Sequence, residues 1–108
     1  ARQALARDIA ILQRCQPAPD ELAPGVSIFP LPGVTAGMCG VLIAGSRLTT
    51  LICGDAIPTV EHLEEGKVLG RVSSLEKAKE SMMEALEIAD LLVLGRDNVV
   101  VNPGKRAF

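Results

Sequence analysis

Ser27-Ile28-Phe29-Pro30-Leu31-Pro32-Gly33-Val34-Thr35-Ala36-Gly37-Met38 is followed by two apolar runs that flank Gly45-Ser46-Arg47, and then by Cys53-Gly54-Asp55. The order of these pieces decides the fold. An apolar run that stops at Pro-Gly predicts a strand over residues 26–31, with Pro30 at an edge or at the strand end, because proline has no N–H to give to a ladder. The runs at 40–44 and 48–53 are aliphatic and β-branched, and a turn at Gly45-Ser46 joins them into a hairpin. Both runs are apolar at most positions, as expected of a sheet covered on both faces. Asp55 falls just past the second run, a carboxylate at a strand end. Gly33, Gly37 and Gly40 suit a tight loop, and their spacing matches neither a P-loop nor a dinucleotide fingerprint.

Upstream, residues 1–15 place Leu5, Ile9 and Leu12 on one side of an amphipathic helix, with Arg2, Arg7 and Arg14 among the outward positions. Residues 16–25, with three prolines and a glycine, predict a loop. Downstream, residues 57–66 predict a short helix capped by Thr59 and stopped at Gly66. Ser73-x-x-Glu76 forms a capping box that opens a helix to about residue 90, with Leu75, Ala78, Met82, Ala85 or Leu86, and Ala89 on its core face. Residues 91–94 read as a buried strand. Residues 95–108 read as a loop with a basic end, of which 99–108 are a tail.

At 108 residues and 48% hydrophobic, with positive mean hydropathy, the chain is expected to form one domain over 1–108 that buries a core. A chain of this size hides only about two-thirds of the surface its unfolded form exposes, so an uncovered apolar face would leave it marginal. The net charge of −2, with no basic run, no Trp or Tyr and only two Phe, argues against nucleic acid and anionic membranes as partners. No apolar stretch reaches the roughly 20 residues that span a bilayer, and residues 1–4 lack a secretory core, which points to a soluble, cytoplasmic protein. The three cysteines form no C-x-x-C pair and fit reduced thiols. Cys39 and Cys53 point to opposite faces if the hairpin turn has two residues, and lie opposite each other if it has three. The start inside a helix fits either a fragment or removal of an initiator Met.

These pieces resemble the C-terminal half of the metallo-β-lactamase superfamily, whose pattern here is a strand, Pro-Gly-His-Thr-x-Gly-His, a hairpin, Gly-Asp, a helix, a strand and a Gly-His loop. The corresponding residues are Pro32-Gly33-Val34-Thr35-Ala36-Gly37-Met38, Gly54-Asp55-Ala56-Ile57-Pro58 and Leu94-Gly95-Arg96-Asp97-Asn98. The resemblance covers residues 1–98. It implies an α/β fold, half of an αββα sandwich, with a mixed sheet containing a hairpin and helices on one face. It also implies one or two zinc ions held by histidines and a carboxylate, which make a hydroxide nucleophile from water.

The ligands are mostly changed. Val34 stands where the first motif histidine would be, Arg96 where the last would be, and the N-terminal His-x-His-x-Asp-His cluster is absent. Asp55 alone matches a metal position, that of the bridging carboxylate, and one carboxylate does not hold zinc. Asp55 is expected to be a strand-end carboxylate that accepts backbone N–H bonds from its own loop; because the resemblance brings the Asp55 and Arg96 loops to the same end of the sheet, an Arg–carboxylate pair in place of the metal is the alternative. His62, the only histidine, fits no ligand position and reads as a surface or cap residue. Met38, Met82 and Met83 read as packing, and Ser46, Ser73 and Ser74 have no neighbouring base.

The expectation is therefore a metallo-β-lactamase-like domain with no catalytic residues and no cofactor of its own, not active alone. It would act as a structural or interaction module through homo-oligomerisation or docking on a complementary subunit. The alternative is the C-terminal part of a metal-dependent hydrolase whose His-x-His-x-Asp-His half lies on another chain or outside this sequence; zinc would then depend on that half. A third reading, a small-molecule binder in the cleft near residues 33–37, rests on analogy.

Overall fold

The computed structural model of the chain describes residues 2–105. Its elements in order are α1 (Arg2–Gln13), β1 (Glu21–Ala23), β2 (Val26–Pro30), β3 (Cys39–Ala44), β4 (Thr49–Gly54), α2 (Val60–Glu65), α3 (Leu75–Ile88), β5 (Leu91–Leu94), β6 (Val99–Val101) and a 3₁₀ turn, Pro103–Lys105. The six strands form one sheet in chain order, antiparallel throughout except for the β4–β5 pair. That one parallel pair requires a crossover, which α2 and α3 supply. The result is the α/β mixed sheet with a hairpin that the sequence predicted.

Register separates the two sides of the sheet. Leu42, Leu51, Leu92 and Val100 lie across from one another on one face, and Leu51, Cys53, Leu92 and Leu94 there are buried. Leu63 of α2, Met82 and Ala85 of α3, and Ala89 at its C-terminal cap join these residues in a single core with Leu31, Ala56 and Ile57. The other face carries the rows Ile28, Val41, Ile52, Val93, Val99 and Val26, Ile43, Thr50, Leu91, Val101. Among the described residues the core helices α2 and α3 pack on the opposite side, and on this face Ile52 and Val99 are 37% and 56% exposed. The expectation of a sheet covered on both faces thus fails within this chain: the composition is two-sided, the cover is one-sided. The first helix is no substitute, because α1 buries none of its residues and leaves Leu5, Ile9 and Leu12 exposed.

Several local expectations need correction. Residues 16–25 are not all loop, since Ala23-Pro24-Gly25-Val26 turns β1 back on β2 with Gly25 at φ 75°. Residues 99–101, read as part of a loop and tail, form β6; the basic end at 106–108 lies outside the described residues, as does Ala1. The long helix is capped by Ser74, whose hydroxyl accepts from the Lys77 N–H, one residue later than the Ser73 box. The backbone N–H groups of Ser73 and Ser74 donate to the carbonyls of Val34 and Gly33 and tie the entry of α3 to the Pro-Gly loop. Leu75, at the first position of α3, is exposed rather than in the core. The hairpin turn lies at Ser46-Arg47, with Gly45 N–H donating to the Leu48 carbonyl, so it has two residues and sends Cys39 and Cys53 to opposite faces. All three cysteines are free thiols.

Candidate functional site

The site is assembled at the carboxyl ends of β4 and β5, where the parallel pair places Gly54 beside Leu94. Gly54 takes a left-handed conformation (φ 56°) that turns the chain out of the sheet and presents Asp55. Gly95 makes the matching turn possible: a Cβ on it would lie 2.5 Å from the Gly54 carbonyl oxygen, so only glycine lets the two loops touch. The loops are then stitched together. Gly95 and Arg96 N–H donate to the carbonyls of Ile57 and Pro58, and the Asp97 carboxylate accepts from Val60 N–H (3.1 Å) and Asn98 N–H (2.8 Å). Those two backbone bonds, Val60 first, hold the Asp97 carboxyl below its usual range.

Arg96 and Asp55 meet across this junction as a fork. Arg96 Nε donates to Asp55 Oδ1 and Nη2 to Oδ2, both at 3.1 Å. The hydrogen bond and the attraction of Asp55 hold the guanidinium still more firmly in its charged form. Both side chains remain in contact with solvent. The alternative that the resemblance offered, the Arg96 pair, is therefore present, and the hydrogen bonds described for the Asp55 carboxylate come from that guanidinium rather than from the backbone N–H groups of its loop.

The Pro-Gly loop packs on the same structure from the α3 side. Gly33 lies against the first turn of α3, where a Cβ would sit 2.2 Å from Ala78 N, and Ser81 Oγ donates to the Pro32 carbonyl at 2.6 Å. Met38 reaches toward Gly54 and packs on the core edge, as its reading as a packing residue had it, while Met83 is exposed. Val34 is half-buried, its carbonyl engaged by Ser73. His62 stands on α2, away from any ligand constellation; its Nδ1 is 2.7 Å from Thr59 Oγ1, the cap of that helix.

A zinc ion does not fit these residues. Valine has no lone pair, a guanidinium repels a cation, and the lone matching carboxylate already takes both arms of Arg96. Among the described residues, no three His, Cys, Asp or Glu side chains converge to hold a metal. Asp55 remains a strand-end carboxylate whose partner is a side chain.

Sequence reasoning missed Asn102. It is fully buried, donates from Nδ2 to the Leu86 and Ala89 carbonyls, and accepts from Gly104 N–H at Oδ1, so it closes the C-terminal end of α3. The adjacent Pro103-Gly104 was its one local signal.

The overall architecture matches known hydrolases. An N-acyl homoserine lactone hydrolase, solved with its product N-hexanoyl-L-homoserine at a catalytic metal centre, superposes with a TM-score of 0.58 at 26% identity over 71% of this chain and 32% of that one. A dizinc quorum-quenching lactonase, AidC, gives 0.69 at 13% identity over 86% and 35%. A probable metal-dependent hydrolase from Staphylococcus aureus gives 0.66 at 16% identity over 79% and 34%. The chain spans about a third of the length of these structures. No protein-family model matches it, and no curated protein matches it. The fold is the metallo-β-lactamase fold of these hydrolases, of which the chain matches a part. No helix among the described residues is long and apolar enough to cross a membrane.

Proposed function

We propose that this chain is a metallo-β-lactamase-like domain without a catalytic metal site of its own, a pseudoenzyme that works as an interaction module by covering the bare face of its sheet with another protein surface. The observation that carries the reading is that face: two apolar rows across five strands, uncharged, while the opposite face of the same strands is sealed by α2 and α3. An apolar patch of this kind costs free energy in water and is the usual mark of an interface. The Arg96–Asp55 fork supports the loss of metal chemistry, and the three unpaired thiols fit a reducing, cytoplasmic setting.

A hydrophobic dye tests it. The purified chain either associates, alone or with a subunit, or binds the dye when dispersed, with Ile52→Lys lowering the signal. A dispersed chain that neither associates nor binds dye contradicts the reading.

One observation favours a second reading: the chain covers only about a third of each structure it resembles. On that reading it is the C-terminal part of a hydrolase, and a His-x-His-x-Asp-His segment from upstream or from another chain completes the site. Native sequence upstream of Ala1 separates the two.

A further inference from the structure

We draw no further inference here: the strongest candidate, the apolar face that strands β2–β6 turn away from α2 and α3, carries nothing, because nothing in the structure shows what covers it.

Discussion

The two faces of the sheet have nearly the same composition and opposite fates. Leu51 and Leu92 are fully buried under α2 and α3, whereas Ile52 and Val93, their neighbours along the same strands, lie on the face opposite those two helices. Side-chain alternation guarantees the separation, and the crossover guarantees the asymmetry, because both core helices lie between β4 and β5 in sequence and pack on one side. Hydrophobicity therefore identifies what wants to be covered, and connectivity decides what this chain covers itself.

The largest effect expected from the contrast is on stability. Leu92→Ala should cost about 2–5 kcal/mol in urea unfolding, and Ile52→Ala about 1 kcal/mol or less for the dispersed chain. Equal losses would show that the bare face is packed in a way the fold does not provide. Gly33→Ala attacks the seam that holds α3 on the covered side. With φ 136° and Ala78 backbone in the way, it should cost more than about 1 kcal/mol, read from the same unfolding curves.

The thiols sharpen the comparison chemically. Burial pushes Cys53 up to about 12, so in the native protein at mildly alkaline pH it should alkylate only as fast as the chain unfolds, while exposed Cys15 reacts freely. Because the folded pKa lies above the unfolded one, the stability linked to Cys53 is fully present below the ordinary thiol pKa. It is lost as pH rises toward about 12, a decline that Cys53→Ala should flatten. The smallest effect belongs to Asp97, whose folded pKa is depressed. Its contribution is present above the ordinary carboxylate pKa and disappears as pH falls through the folded value, so Asp97→Asn should lose less stability than wild type on acidification.

Much of this was legible in the sequence for identifiable reasons. The central strands announced themselves because β3 and β4 are continuous apolar runs around a turn, and the motif order placed Asp55 and Arg96 at one end of the sheet before their fork was seen. The edge strands did not, because Glu21–Ala23 and Val99–Val101 are three residues each, too short for a periodicity to show. The Pro24-Gly25 turn and the valine run after Asp97-Asn98 were the available signals. Asn102 was invisible for a different reason: a polar residue in a predicted tail reads as solvated, and only the fold brings the end of α3 within its reach. The cap at Ser74 instead of Ser73 is a one-residue slip between two adjacent serines, either of which has the side chain for it.

On the proposed reading, Arg96 closes on Asp55 at the position where the resemblance puts a metal ligand. Equilibrium dialysis of the wild-type chain against zinc, followed by elemental analysis, tests that directly. Zinc far below one ion per chain is the predicted result, unchanged by Asp55→Ala. One ion per chain, lost in Asp55→Ala, would contradict it.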